Sequence, residues 1–438
     1  MAPGGVPVLG HLPKLAARRV EFLQDLRSFG HDVVRIQLAS KPVFILNSPD
    51  AIYEVLVGQS RHFSKGLLFD RTRPLLGNGI VTSDGAFHRR QRRALQPAFH
   101  SERIAQYSRT LVEVARTRVD GWCPGQVAAM DQEMRRLAAA MLVATLFPPG
   151  IDPTTNLPVR DIGARVSDYI GLLIRGVLRA TLLPSPLAAI PTPGRRRFLA
   201  AAKALRQFAD SAIQQARRDP ERQNGMLALM IAAPEAMSDQ EASDELLTML
   251  LAGVETTSTC LAWALYALGR NPEIAELVSS EARATDPAVT DPTAMPYTGR
   301  FLREVLRLYQ PNWIFMRRAS EPVRICSVDL PTGAEVIYSA ATLHRDPMYF
   351  PDPLRFDPDR WLTRQEKDLA RCAYVPFGAG SRKCIADSFA WAEMRVAIAT
   401  IAARWRLHPA PGHVVRAVAD AQIHPDALPM FVTALDSR

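Results

Sequence analysis

The 438-residue chain has only five cysteines, at 123, 260, 326, 372 and 384, and no two of them stand in a C-x-x-C spacing. So odd and scattered a set excludes a disulfide framework and a zinc cluster, and fits a reducing, cytoplasmic setting. Long hydrophobic runs are missing as well: nowhere do eighteen apolar residues follow one another, and the opening MAPGGVPVLGHLPKL lacks a charged segment leading into an apolar one. Neither a membrane anchor nor a secretory signal is expected. Lysine is scarce, with six among 53 basic residues, so the net charge of +9 is an arginine excess spread along the chain. It makes an acidic partner a weak expectation and gives no reason to expect nucleic-acid binding. There is no internal repeat and no low-complexity tail. Hydrophobic residues at 47% and charged residues at 22% exclude wholesale disorder and leave enough apolar surface for a sizeable core.

What is present is mostly helical in pattern. The clearest segment opens at SDQE, where Ser238 and Glu241 have the spacing of a capping box, and runs through LLTMLLAGVETTSTCLAWALYAL to Gly269 and Pro272. Some thirty residues at 1.5 Å each predict a helix of roughly 45 Å, apolar all round and hence buried. Further helices are predicted near 86–95, 102–121, 127–146, 161–182, 195–218, 273–285, 299–309 and 385–403, with the proline-rich stretch 182–197 interrupting two of them. Strand patterns occur at 32–38 and 42–48, and 322–339 reads as a hairpin turning at Pro331 and Gly333. The expected class is mainly α with a small β region near 30–50 and 320–340. Strands do not alternate with helices as a doubly wound sheet requires.

The stretch FGAGSRKCIA, 377–386, places a lone cysteine behind a glycine-rich turn and two cations, at the entrance to a helix. An isolated cysteine is ordinarily a small buried hydrophobe. Here the helix N-terminus, Arg382 and Lys383 all favour a thiolate. Glycines 378 and 380 let the backbone approach something large and flat and let amides point at the sulfur. A haem iron held by thiolate is a chemically sensible occupant.

FGAGSRKC resembles the F-x-x-G-x-R-x-C haem-ligand signature of the cytochrome P450 family, with Phe377, Gly380, Arg382 and Cys384 at the matching positions and Gly378 beside them in the same turn. Three further elements occur in the family's order. EVLR at 304–307 is similar to its E-x-x-R, FDPDRW at 356–361 to its P-E-R-F element, and AGVETT at 252–257 to its A-G-x-D/E-T-T. With GAFHRRQRRALQPAF at 85–99, the resemblance extends over most of the chain. One departure is Ala386, where the family usually has glycine.

Taken alone, Glu304 and Arg307 are three residues apart on one helix face and read as a surface pair. His88 and Arg92 lie one turn apart in a run of cations and read as a solvated basic face. Thr256 reads as a threonine bonding back to the preceding turn. The resemblance implies more. Arg360 would join Glu304 and Arg307 in a buried charge cluster that holds the haem loop. His88 and Arg92 would bind a haem propionate, as would Arg317, with Arg318 beside it. Thr256 would donate to dioxygen, and Glu255 would belong to the proton relay.

The resemblance therefore implies a single P450 domain over 1–438, a triangular helical prism holding haem b between the long central helix and the helix of the Cys loop. The expected reaction inserts one atom of O2 into a C–H or C=C bond, with electrons from NAD(P)H through ferredoxin reductase and ferredoxin to a soluble monomer. Rival readings are an H2O2-driven peroxygenase on the same fold and a non-catalytic haem-thiolate sensor. Leu251, Ala252, Ile314, Phe315 and Met316 are implied pocket residues, with others from 64–81 and 168–178, and these five are apolar. An Arg- and Ala-rich composition resembling actinobacterial tailoring enzymes points to a sesquiterpene-like terpenoid of secondary or antibiotic metabolism. The alternative is a fatty acid, whose carboxylate Arg71 or Arg73 would hold.

Overall fold

The long helix forms where its capping signal predicts. It spans Asp239–Arg270, and Ser238 and Glu241 exchange side-chain and backbone hydrogen bonds of 3.3 and 2.9 Å at its start. This computed structural model describes residues 2–147, 163, 165–173, 192–218, 225–232, 237–287, 294–363 and 366–435. Residues 182–191 of the proline-rich stretch and the second half of the expected helix 161–182 lie outside them. Contacts divide the chain into two units, Met1–Asp70 with Arg303–Cys384, and Arg71–Leu302 with Ile385–Arg438.

The first unit is built on a five-stranded sheet in the order Val33–Leu38, Lys41–Leu46, Glu335–Tyr338, Phe315–Ala319, Phe63–Ser64. Lys41–Leu46 runs parallel to Glu335–Tyr338, and the other pairs are antiparallel. The strand 335–338 is buried at every position, so its EVIY run faces protein on both sides. Beneath the sheet Phe44, Leu46, Ile52, Leu56, Val336, Leu343 and Val375 form one core.

The stretch 322–339 is not one hairpin. Val323–Ile325 and Val328–Leu330 pair with each other, and Cys326, with φ of 49°, makes their turn. The turn at Pro331–Gly333 sends the chain on into the main sheet instead. Proline and glycine mark a turn correctly, but short β runs carry no signal for which partner they take.

In the second unit the long helix packs on Met130–Leu146, Pro193–Arg218, Pro272–Ala284 and Asp387–Ala402. The expected helix 127–146 begins three residues late. Val127–Ala129 is a strand beside Pro429–Ala434, which in turn pairs with Trp405–Pro409, and this C-terminal sheet was not foreseen. The long helix passes by length and apolarity as a bilayer span, yet 72% of its most apolar window is buried inside the protein. It is the core helix of this unit, as its all-round apolarity requires.

Candidate active site

Between Ala242 and Leu265 the long helix is buried at every position except Leu251, Ala252, Gly253 and Thr256. Ala252 and Thr256 are one turn apart, so the opening is a stripe of small side chains on one face, the kind of surface against which a flat ligand can lie. Thr256 Oγ1 donates to the Ala252 carbonyl at 2.6 Å, so its hydroxyl oxygen is presented as an acceptor. The neighbouring Glu255 is 7% exposed and accepts from Arg135 Nε at 3.3 Å and Nη2 at 3.5 Å. Thr257 faces the other way, donating at 3.1 Å to Glu393 on the helix Asp387–Ala402. Burial pushes Glu393 up to about 8 against the opposing effect of that bond, so it is protonated at neutral pH. Sequence reasoning missed both Arg135 and Glu393, which are 120 and 136 residues from their partners.

On the first unit, the Cys384 loop is shaped by two glycines with φ of 71° at Gly378 and 68° at Gly380. A Cβ on Gly380 would run into the Leu56 carbonyl, so this turn requires glycine. The Cys384 amide donates to the Phe377 carbonyl at 2.9 Å, closing the loop and leaving the cysteine exposed. An exposed cysteine with Arg382 and Lys383 beside it suits a haem thiolate, and so does the small-residue stripe of the long helix.

Glu304 and Arg307 are fully buried and joined by two bonds, Nε to Oε2 at 2.9 Å and Nη2 to Oε1 at 2.8 Å. Arg307 also donates to the carbonyls of His344, Pro353 and Arg355, so all five of its N–H groups have acceptors. Glu304 accepts in addition from the Asp357 amide and the Trp361 indole, both at 3.0 Å, and Arg360 Nε lies 3.5 Å from Oε1. The structure thus brings Glu304, Arg307 and Arg360 together, the first two not on the surface but sealed inside and Arg360 half-buried at the edge. Trp361 and the three carbonyls are members that the motif spacing does not announce.

His88 is buried and Arg92 half-buried on the helix Gly85–Leu95. The basic run there is only partly a solvated face, because Arg90 pairs with Glu241 at the cap of the long helix. Arg317 is 7% exposed and donates to the Met316 carbonyl, while Arg318 is taken up by Glu335 at 2.6 Å and Asp70 at 2.7 Å. Of the expected pocket residues, Ile314 and Met316 are half-buried. Phe315 stacks on Tyr338 across the strand pair, with ring centres 4.8 Å apart, and so belongs partly to the core.

Comparison with known proteins agrees with these features. The family model described as Cytochrome P450 matches residues 1–423. Over 431 residues the chain is 37% identical to "Cyclooctatin synthase" of Streptomyces melanosporofaciens, covering 95% of this chain and 91% of that protein. It is 38% identical over 421 residues to "Cyclooctat-9-en-7-ol 5-monooxygenase" of the same organism, covering 94% and 90% of the two chains. It is 32% identical over 442 residues to "Pentalenene oxygenase" of Streptomyces avermitilis, covering 99% and 97%. The chain belongs to the cytochrome P450 family and has the family's mainly α fold with small β sheets. It is a monooxygenase, and the family implies a haem-thiolate cofactor, a small-molecule substrate, dioxygen and redox partners.

Proposed function

We propose that the chain, acting over 1–438 as one catalytic domain, oxidises a terpenoid of sesquiterpene-like size in secondary metabolism. The observation that carries this reading is the opening at Leu251, Ala252, Gly253 and Thr256 on an otherwise buried helix, with an acid and an alcohol beside it. Haem b, held through the Cys384 thiolate, would supply the oxygen chemistry of a monooxygenase, in which one atom of O2 enters the substrate and the other leaves as water. The chain's own residues bind, orient and move protons. His88, Arg92 and Arg317 hold the propionates, and the commitment of Arg318 to two carboxylates supports Arg317 as the member from its strand. Phe377, Gly378 and Arg382 shape the loop around Cys384. Glu255 and Thr256 carry protons to the oxygen side.

Electrons come from NAD(P)H through ferredoxin reductase and a small acidic ferredoxin. The exposed cations Arg89, Arg93 and Lys383 support an acidic partner. Reduction of the protein by such a ferredoxin should slow as salt shortens the Debye length from ~30 Å at 0.01 M to ~3 Å at 1 M. A salt-independent rate would reject it. The free cysteines support a reducing, cytoplasmic setting.

Ile314, Met316, Leu251 and Ala252 offer shape and desolvation with few polar anchors, which suits a compact ring skeleton. Two relatives carry names built on terpenoid skeletons, pentalenene and cyclooctat-9-en-7-ol. The fatty-acid alternative is weakened at Arg73, whose Nη2 donates to the Thr82 carbonyl at 2.8 Å. The test is a titration of the ferric protein with pentalenene and with palmitic acid, following the low- to high-spin shift. A saturable shift with pentalenene is expected. A shift with palmitic acid alone, lost in Arg71→Ala, would overturn the terpenoid reading.

Thr256→Ala should keep haem and the spin shift but lower product per NAD(P)H severalfold, with the missing equivalents appearing as peroxide. Unchanged coupling would remove Thr256 from the relay. Turnover with peroxide alone, and none with the reductase, would select a peroxygenase.

A further inference from the structure

The long helix has a second functional face. Ser258, Thr259 and Ala262 lie three, four and seven residues after Glu255, on the same side as its carboxylate; Ser258 and Ala262 are turned away from Thr256, while Thr259, three residues after Thr256, borders its face. They form one wall of a polar cavity of about 490 Å³, many times the ~30 Å³ that a water molecule occupies in the liquid. The helix Met130–Leu146 contributes Arg135, and the C-terminal strand Ile423–Pro425 contributes His424. Arg135 therefore joins the cavity to Glu255. Its bonds of 3.3 and 3.5 Å are long for a guanidinium on a carboxylate, which ordinarily sits near 2.7–2.9 Å, so the grip is loose.

His424 is built to hold a proton. Its Nδ1 faces the Pro425 carbonyl at 2.8 Å and its Nε2 the Asp420 carboxylate at 3.3 Å. A carbonyl and a carboxylate can only accept, so the imidazolium alone satisfies both ring nitrogens. The Asp420 bond is the main cause raising the His424 pKa above its ordinary value. Burial opposes it, while the Pro425 carbonyl and the charges of Asp420 and Glu255 add to it. The other charged groups on the cavity wall have partners of their own or stand at its rim. Asp131 caps the Leu428 amide, Arg136 pairs with Glu133, Asp426 holds the amides of Arg416 and Ala427 and faces His413, and Asp168 is exposed.

We propose that this cavity is the proton inlet of the enzyme and that His424, charged through Asp420, reloads Glu255 across it while Arg135 positions the acceptor. His424 acts through Glu255 and not on the reacting atoms. Each turnover uses two electrons from the redox partners and two protons. The imidazolium releases its proton through cavity water to the Glu255 carboxylate, which passes it to the Thr256 side, and bulk solvent reprotonates His424. No electrons move in this step.

The inference rests on Glu255 as relay residue, and the experiment separates the two. With pentalenene as hydrocarbon probe, peroxide formed per NAD(P)H is measured between about pH 6 and 9 for the wild type, His424→Gln, Asp420→Asn and Glu255→Gln. The His424 ring is titrated by NMR in the same holoenzyme. In the wild type the peroxide yield should rise with pH, with a midpoint at the His424 titration. In His424→Gln it should be severalfold higher and flat with pH, and in Asp420→Asn the midpoint and the ring titration should move down together. If Glu255→Gln raises peroxide while His424→Gln follows the wild-type curve, the inlet is overturned and the relay stands. If Glu255→Gln also behaves as wild type, the relay reading itself falls. Should His424→Gln lose haem, Asp420→Asn decides: an unmoved midpoint overturns the proposal.

Discussion

Cys384→Ala is expected to abolish the strongly red-shifted Soret band of the reduced carbon monoxide complex, while replacement of any other cysteine leaves it in place. The contrast follows from where the five thiols sit. Cys260 is fully enclosed on the long helix, and burial, with Glu393 nearby, pushes it up to about 12. Cys326 and Cys372 are pushed up to about 11, in both cases chiefly by burial. None of these three can readily supply a thiolate. Cys123 is exposed, but its neighbours are Trp122 and Pro124 and its loop has one positive-φ glycine, Gly125, with no cation beside the thiol. Only Cys384 combines exposure, adjacent cations and a loop with two positive-φ glycines. The measurement is the difference spectrum of each variant, with total haem determined separately. A normal band in Cys384→Ala would overturn the ligand assignment, and with it the reading of the loop.

How much of this was legible depends on sequence distance. The capping box of Ser238 and Glu241 is a contact over three residues, and the helix it starts forms as expected. Glu304 and Arg307 are likewise three apart, so their pairing can be read from spacing, although their complete burial cannot. Buried or exposed is decided by what covers the helix, and here the cover comes from 344–361, dozens of residues later. The same limit hid Arg135 and His424. An arginine inside EMRRL and a histidine in QIHP have no local peculiarity, and only the packing of distant elements brings them to Glu255.

Errors in the β regions have another origin. A run such as EVIY has strand character whichever neighbour it takes, and its parallel partner 43–46 is nearly three hundred residues upstream. Turn residues fix where the chain bends but not where it goes next. The strand Val127–Ala129 was absorbed into the following helix because alanine and valine between two helical segments carry no break signal. Thr256 shows a mixed outcome. The bland expectation of a hydroxyl bonded back to its own helix is what the geometry has, and the functional reading then asks that this hydroxyl turn away from Ala252 when it acts as a donor.

Glu304→Gln should destabilise the protein by about 3–5 kcal/mol, the usual loss when one partner of a buried ion pair is removed. The substitution keeps size and shape but replaces an acceptor-only carboxylate with an amide that must turn one NH2 toward donors. Oε1 and Oε2 receive two N–H groups of Arg307, the Asp357 amide and the Trp361 indole, so one set of these bonds becomes a donor facing a donor. Arg307 then keeps its charge with no exposure to water and only neutral carbonyl oxygens around it. Arg307→Lys should cost a similar amount, because one ammonium has three donors where the guanidinium places five in a fixed fork. Arg360→Ala should cost less. Its Nε stands 3.5 Å from Glu304 and its side chain remains partly exposed, so water can take over part of its role. The consequence extends to the haem loop, since Tyr374 beside it donates to the Arg303 carbonyl at 3.0 Å and the Val375 amide donates to His344, whose own carbonyl holds Arg307. Loss of the cluster should therefore lower haem occupancy as well as unfolding free energy. Urea unfolding, read alongside haem content per chain, checks both, and Glu304→Gln with wild-type stability and full haem would show that the cluster does not hold the loop.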